Sequence, residues 1–196
     1  MIIDFQHSFK DYDEILNFYG IWNYSCPKCR AKHSMRRHGT YERNIIFWEE
    51  GGLTETRGKI LRLQCSSCEG THAVLTMDII PFFIYSMAAF LSLIELCLDP
   101  DGSVPKTEEQ TGVPCQLLYR FLLIFNEYRD RLSVLLRQES LWDASANPLP
   151  SEISAILSAQ PPPKIESAFF RTFRAPLFLH RCSTVSYPLC FGTAEA

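Results

Sequence analysis

The spacing of hydrophobic residues changes along the chain from a strand pattern in the first part to a helix pattern in the middle. Residues 41–48, 59–64 and 71–76 form short runs in which β-branched, aromatic and other apolar side chains are frequent, and a short basic run at 34–38 precedes them. Such runs are typical of strands, and the glycines and acidic residues between them, as at 49–52, favour turns. The first part of the chain therefore predicts a small β-sheet.

Helical spacing occurs before and after these runs. Apolar residues within 9–19 predict a short helix that ends at Gly20. Further along, the pattern predicts a short polar helix, a Gly-Val-Pro turn at 112–114 and an apolar helix that continues to about Gln138. This order is that of a helix-turn-helix unit, and Pro114 suits the first turn of the second helix. Any two helices joined in this way share the order, so it does not by itself establish contact with DNA bases.

Residues 79–98 form a long apolar stretch with one charged residue, Glu95. Its length would allow it to cross a bilayer. Pro81 near its start, the internal glutamate and the aspartates on both flanks argue against this, because no positive charge is present to set an orientation. A buried helix over about 85–98 explains the stretch better, and no membrane segment is favoured.

Composition and charge limit the function classes. The chain has 196 residues, of which 46% are hydrophobic and 21% are charged, and its net charge is −3. These values are typical of a globular protein and exclude a strongly basic nucleic-acid coat protein or an acidic disordered chain. The charge is unevenly distributed, because residues 26–76 carry +4 whereas residues 1–25 and 77–196 carry −3 and −4.

Four of the eight cysteines carry the strongest chemical signal. Cys26 and Cys29 form one Cys-x-x-Cys pair, and Cys65 and Cys68 form a second. Each pair can hold two thiolates on one tight turn, and two such turns can complete a tetrahedron around one Zn²⁺. Four thiolates leave no open position for water, so the predicted site is structural rather than catalytic.

Other potential ligands are weaker. His33, His38 and His72 lie near the two pairs, but four cysteines already complete the coordination shell, and surface or phosphate-contacting positions suit these histidines better. The potential ligands within 180–190 are irregularly spaced and only weakly indicate a second metal site. The first residues lack the basic start of a signal peptide, which favours a reducing, cytoplasmic location in which the thiols stay free.

The whole pattern predicts an α+β fold, in which a small β zinc ribbon precedes a helix-turn-helix-like unit and a poorly ordered tail. Beyond residue 141, prolines interrupt helix formation, although a short helix over 151–159 is compatible with the pattern. Five phenylalanines after residue 164 show no clear period, which favours disorder or a docking segment. The expected units are an N-terminal helical segment at 1–20, the ribbon at 21–78, the helical unit at 79–140 and the Pro/Phe-rich tail at 141–196.

The excess of positive charge lies on the segment that holds the four cysteines, an arrangement that fits contacts with phosphates. The candidate DNA-contacting residues of the ribbon are Lys28, Arg30, Lys32, Arg36, Arg37, Arg43, Lys59 and Arg62. In the second predicted helix, Gln116, Tyr119 and Arg120 are the candidates for base contacts. Their neighbours are unusually apolar for a recognition helix.

The order of these motifs resembles that of a protein group. The cysteine turns are followed by Thr-His-Ala-Val-Leu-Thr at 71–76, Ile-Ile-Pro-Phe-Phe-Ile-Tyr-Ser at 79–86, a helix and the Gly-Val-Pro turn. In this order, over about residues 20–135, the chain resembles uncharacterised bacterial zinc-ribbon proteins related to the N-terminal regions of insertion-sequence transposases. The resemblance implies a DNA-binding or transposition-related role. Arg30 stands where that group often has glycine, and residues 141–196 are too short and too proline-rich for a transposase catalytic core, so strand-transfer activity is not expected.

Three functional classes follow from these features. A DNA-binding accessory or regulatory protein accounts best for the local positive charge. The alternative is a protein-interaction module, whose apolar helix and tail bind a partner such as a separately encoded recombinase. An enzyme is not expected, because the sequence contains no phosphate-binding glycine loop, nucleophile elbow or catalytic metal motif, and no small-molecule substrate is predicted.

Overall fold

The computed structural model describes residues 1–4, 7–17, 23–143, 147–173 and 175–178. Its strands are β1 (Ile2–Asp4), β2 (Met35–Glu49), β3 (Gly52–Cys65) and β4 (Thr71–Thr76). Its α-helices are α1 (Tyr12–Asn17), α2 (Met87–Leu98), α3 (Val104–Thr111), α4 (Cys115–Gln138), α5 (Pro150–Ser158) and α6 (Pro162–Phe173). The strands lie mainly in the first part of the chain and the helices follow, so the predicted α+β class is confirmed.

The four strands form one sheet in the order β1-β4-β3-β2. β2 and β3 form a long antiparallel hairpin, with one irregularity in register between Arg37 and Gly39. Glu50 and Gly51 connect them, and both have positive φ, 51° and 81°. Two such residues form the tight turn whose twist matches that of a hairpin. The sequence predicts shorter strands here, and the structure joins and extends them.

β1 is not predicted by the sequence. It pairs in parallel with β4, Ile2 opposite Val74, and three residues are too few to give a periodic signal. Only three residue pairs join β3 to β4, and beyond them the Tyr12 hydroxyl bridges the two strands. This hydroxyl donates to Val74 O at 2.6 Å and accepts from Leu61 N–H at 2.9 Å. The short N-terminal helix is thereby fixed against the sheet.

Helices α2 and α4 pack around buried aromatic side chains. α2 begins after Ser86, whose hydroxyl accepts the Ala89 N–H at 3.2 Å and so caps the helix. Phe90 and Phe121 are 0% and 1% exposed, and their ring centroids lie 5.1 Å apart. The predicted buried helix is therefore confirmed. Within the described ranges, no helix combines the length and apolarity that crossing a membrane would require.

A tight turn joins α3 to α4 at the predicted place. Gly112 has φ 71°, in the left-handed region, and Val113 beneath it is 3% exposed. Pro114 at the start of α4 has no side chain able to cap the helix, and Glu108 of α3 does so instead. Its carboxylate accepts the Cys115 N–H at 3.0 Å and the Cys115 thiol at 2.7 Å.

The described part of the predicted tail differs from the expectation of poor order. α5 lies where a short helix was allowed, and α6 is an additional helix. Ile153, Leu157 and Phe169 are at most 1% exposed and belong to the same core as α2 and α4. The prolines that suggested disorder stand in the first turns of α5 and α6 or just before them, where a missing N–H breaks no bond within the helix. Residues 179–196, including the weak metal candidates within 180–190, lie outside the described residues.

The turn end of the hairpin connects the sheet to the helices. Ile46, Trp48 and Leu53 pack against the helical core. The backbone of Ile46 also donates to Ile84 O at 2.7 Å and accepts the Ser86 N–H at 2.8 Å. The segment before α2 therefore lies alongside the edge of β2.

Candidate metal centre and the basic surface around it

The first Cys-x-x-Cys turn is closed by its own backbone. Cys26 N–H donates to Ala31 O at 2.9 Å, and Arg30 N–H donates to Cys26 O at 2.8 Å. Lys28 N–H lies 3.4 Å from the Cys26 sulfur. Arg30 has φ 62°, a left-handed conformation that favours glycine. Arg30, which stands where glycine is frequent, therefore adopts a backbone conformation typical of glycine.

The second turn repeats these contacts at equivalent positions. Cys65 N–H donates to Gly70 O, and Glu69 N–H donates to Cys65 O, both at 2.9 Å. Ser67 N–H lies 3.4 Å from the Cys65 sulfur, and Glu69 has φ 57°. The next residue, Gly70, lies close to the cluster, because a Cβ there would be in tight contact with the Cys68 sulfur at 3.3 Å.

The hairpin brings the two turns together. Met35 at the start of β2 lies opposite Cys65 at the end of β3. Beyond this pair, Ser66 N–H donates to Ser34 O at 2.8 Å. The register of β2 and β3 therefore places the second turn directly beside the segment that follows the first.

All four predicted ligands meet at this point. The sulfurs of Cys26, Cys29, Cys65 and Cys68 lie within 4.8 Å of one another. The Cys26–Cys68 and Cys29–Cys65 sulfur pairs are each 3.6 Å apart. A tetrahedral ion with metal–sulfur bonds of about 2.3 Å needs sulfurs separated by about 3.8 Å. The four cysteines can therefore hold one metal ion.

The protein surroundings shift the pKa values of Cys65 and Cys29 in opposite directions. Burial opposes ionisation of Cys65, but hydrogen bonds from the Ser34 hydroxyl and from backbone N–H groups of the turn outweigh it and lower the pKa of Cys65 to about 6. At Cys29 a backbone hydrogen bond at Ala31 favours the thiolate, but burial and the neighbouring sulfurs raise the pKa to about 12. A metal cation would end this competition, because coordination deprotonates thiols.

His72 also lies at the cluster. It is 7% exposed, its Nε2 lies 3.4 Å from the Cys26 sulfur, and its Nδ1 lies 3.2 Å from the Met1 amine. Burial, the N-terminal charge and Lys28 lower the pKa of His72 to about 4, so the ring is neutral at pH 7. A neutral ring can support the thiolate by hydrogen bonding without being a ligand. His33 and His38 are exposed.

Three of the predicted DNA-contacting residues lie on the first cysteine turn. Lys28, Arg30 and Lys32 are all exposed. Four thiolates around a divalent ion carry a net negative charge, so nearby cations stabilise such a centre electrostatically even without another molecule. The position of these positive charges is therefore compatible with two roles, stabilisation of a metal-bound centre and contact with phosphates.

The predicted basic residues of the hairpin divide between its two faces. Arg36 and Arg62 lie on one face, where the Arg36 guanidinium donates to Gln64 Oε1 at 2.9 Å. Arg37 and Lys59 lie on the other face, because side chains alternate along a strand. All four are exposed. Arg36 and Arg62 thus share a single surface, whereas the full predicted set does not.

Arg43 occupies a different kind of position. It is half-buried, and its guanidinium donates to the carbonyl oxygens of Ile80, at 3.3 Å, and Phe83. Arg43 thereby fastens the loop between β4 and α2 to the edge of β2. The sequence offers no local signal for this contact, since the bonded groups are far apart along the chain.

The three candidates on α4 are accessible. Gln116, Tyr119 and Arg120 are exposed near the start of the helix. Leu123, one helical turn after Tyr119, is 66% exposed, and Tyr119 is 55% exposed. This face of α4 is therefore mixed, with polar and large apolar side chains beside each other.

Comparison with known proteins adds one similarity. Residues 26–113 match the model of a protein family described as a domain of unknown function (DUF6431). The matched segment runs from the first cysteine to the turn after α3, so it includes the candidate metal centre, the hairpin and α2. No curated protein and no solved structure matches the chain.

Proposed function

We propose that the four cysteines bind one structural Zn²⁺ and that β2, β3 and the two turns form a zinc ribbon. An all-sulfur donor set in two equivalent turns suits zinc and leaves no ligand position for a reacting water. When bound, the ion would neutralise the thiolates and link the two turns. Free thiols of this kind suit a reducing compartment, and on this ground we propose a cytoplasmic location.

We propose further that the protein binds DNA and has no catalytic activity of its own. The observation that carries this proposal is the exposed group of arginines and lysines on the elements that the cysteine centre holds together. Arg36 and Arg62, which share one face of the hairpin, are the best-placed phosphate contacts. Such contacts are independent of base sequence and weaken with salt.

The pair α3 and α4 is proposed as a helix-turn-helix unit that contacts the same DNA. The turn at Gly112, the buried Val113 and the exposed side chains of α4 support this proposal. In combination with the ribbon, it supports a role related to transposition, as the resemblance implies. Base recognition would depend on Gln116 and Arg120, the polar side chains on the exposed face.

A DNA-binding titration of zinc-loaded protein at two salt concentrations tests this function. The metal content of the same sample, expected to be about one zinc per chain, would be measured in parallel. Binding that falls steeply with salt supports the proposal. Protein that contains zinc but does not bind any DNA at low salt would contradict it.

A charge-matched pair of variants makes the test specific. Arg36→Ala with Arg62→Ala is expected to weaken binding to all DNA sequences alike and to lower the log–log salt slope by about 2. Arg129→Ala with Lys164→Ala removes the same charge from exposed positions on α4 and α6 and is expected to leave the slope unchanged. If both double variants lowered the affinity and the salt slope equally, binding would depend on net charge alone and not on the position of Arg36 and Arg62.

A protein-interaction module is the second candidate function. The exposed apolar residues Tyr119 and Leu123 on α4 favour it, because partner-binding helices present such side chains. In this case the ribbon would be a rigid platform for a partner such as a recombinase. A double change of Tyr119 and Leu123 to serine would then abolish capture of the recombinase while zinc content stays constant.

A further inference from the structure

The loop between β4 and α2 exposes an aromatic ring in an unfavourable backbone conformation. Phe82 is 67% exposed and has φ 65°. A bulky residue in the left-handed region is strained, and its neighbours must impose the conformation. Burial would be the usual reason for retaining a phenylalanine, and at this exposure burial does not apply. A ring exposed in this way is available to contact another molecule.

The loop is fixed on both sides of Phe82. The Arg43 guanidinium donates to Ile80 O on one side and to Phe83 O on the other. One residue further, Ile84 O accepts the Ile46 N–H at 2.7 Å. Because its neighbours are bonded to β2, Phe82 has a fixed position, and little ordering would be needed when it binds.

The same loop is also attached to the helices. The Phe83 ring lies 5.8 Å from the Phe121 ring of α4 and 6.1 Å from the Phe90 ring of α2, measured between centroids. Phe82 therefore lies at the junction between the hairpin, which carries the proposed phosphate contacts, and the helix that carries Gln116 and Arg120.

We propose that Phe82 stacks on a base of the bound DNA, inserting between adjacent bases and separating them. This inference rests on the proposed DNA-binding function. Apolar side chains act as such wedges in proteins that bend or open DNA, and an aromatic ring stacks on any base. The wedge would explain why Phe82 is held outside the core although its immediate neighbours in sequence are anchored.

The test uses zinc-loaded full-length protein and a short duplex that contains the fluorescent base 2-aminopurine, whose emission rises when it is unstacked. Wild-type protein is expected to raise the emission at one or a few positions of the fluorescent base. Phe82→Ala is expected to lose this rise and about tenfold in affinity, with an unchanged salt slope. Phe82→Trp is expected to retain both.

Leu149→Ala is the matched control, because Leu149 is 61% exposed on a different part of the surface and should affect neither readout. Thermal unfolding would show that each variant is folded. Phe82→Ala with wild-type affinity and emission, in a protein whose binding is still salt-dependent, would overturn the stacking proposal alone. Absence of binding by wild-type protein would overturn both proposals.

Discussion

The cysteine end of the molecule and its helical half are stabilised in different ways. Near the cysteines, β3 pairs with β4 over only three residues, and exposed charged side chains surround four closely spaced sulfurs. In the helical half, residues from α2, α4, α5 and α6 share a single apolar core. Its largest fully buried side chains are Phe90, Phe121, Phe125, Phe169 and Phe178. The sheet has a smaller apolar cluster of its own, which includes Cys26 and Cys65. An ion is therefore expected to stabilise mainly the two cysteine turns, whereas packing is sufficient for the helical half.

The largest effect is expected from Cys65→Ser. If the four cysteines hold zinc as proposed, removing one of them should release the ion and disorder the two cysteine turns and the adjoining hairpin, because structural zinc contributes about 10 kcal/mol or more to the folding of such units. The helical half should keep most of its far-ultraviolet circular dichroism signal. Metal analysis and limited proteolysis of the hairpin would measure the change.

Cys97→Ser is the control for that change. Cys97 is a half-buried cysteine of α2 outside the metal-ligand cluster, so metal content should stay unchanged. If Cys65→Ser retained both the ion and the thermal stability of the native protein, the cysteine centre would not be structural.

Phe121→Ala should affect the other half. The Phe121 ring lies between 5.1 and 5.8 Å from the rings of Phe83, Tyr85 and Phe90. Replacing a buried phenylalanine with alanine costs about 3–5 kcal/mol. Unfolding monitored by helical circular dichroism should shift accordingly while metal content is retained. A loss of metal in parallel would show that the two halves unfold as one.

A smaller, pH-dependent effect is expected at Glu166 of α6. Burial raises the pKa of Glu166 to about 8, opposed by the hydrogen bond from Leu177 N–H. Because the folded carboxyl holds its proton more tightly than the unfolded one, its stabilising contribution is complete below the ordinary carboxyl pKa and is lost as the pH rises towards 8.

Glu166→Gln tests this linkage. The amide oxygen can still accept the Leu177 N–H and carries no ionisable proton. Between about pH 5 and 8, the stability of the helical half, from urea unfolding, should fall less for Glu166→Gln than for the native protein. If the stability of the two proteins changed with pH in the same way, the raised pKa of Glu166 would be contradicted.

The smallest effect on stability is expected from Arg43→Ala, which removes one of the connections between the two halves. Loss of its hydrogen bonds to the loop should cost about 1 kcal/mol. During unfolding, the loss of metal from the cysteine centre and the loss of helical circular dichroism should then separate further. Arg43→Lys should retain part of the connection, and identical profiles for the three proteins would show that the loop is held by other contacts.

Local patterns in the sequence predicted much of the fold. The strand at 71–76, the buried helix after residue 85, the turn at 112–114 and the helix ending at Gln138 each depend on neighbouring residues, and the structure contains all four. The convergence of two Cys-x-x-Cys pairs was equally predictable, because metal-ligand spacing implies a spatial contact.

Contacts between distant segments were not predictable from local patterns. β1 exists only because β4 offers it a parallel partner. α6 was hidden by its prolines and by treating residues 164–196 as one segment, although Ile165, Phe169 and Phe173 have helical spacing. Arg43 looked like any surface cation, since its carbonyl partners come from a loop whose path depends on the complete fold.

The equivalence of the two cysteine turns has a consequence for how an ion enters and leaves. Each turn is a bidentate chelator whose backbone hydrogen bonds hold its two cysteines close together. The pairing of Met35 with Cys65 brings the two chelators together, so hairpin formation and coordination share the entropy cost of closing the intervening loop. An arriving ion therefore joins two units rather than four independent ligands, and exchange can proceed by opening one turn while the other keeps its hold.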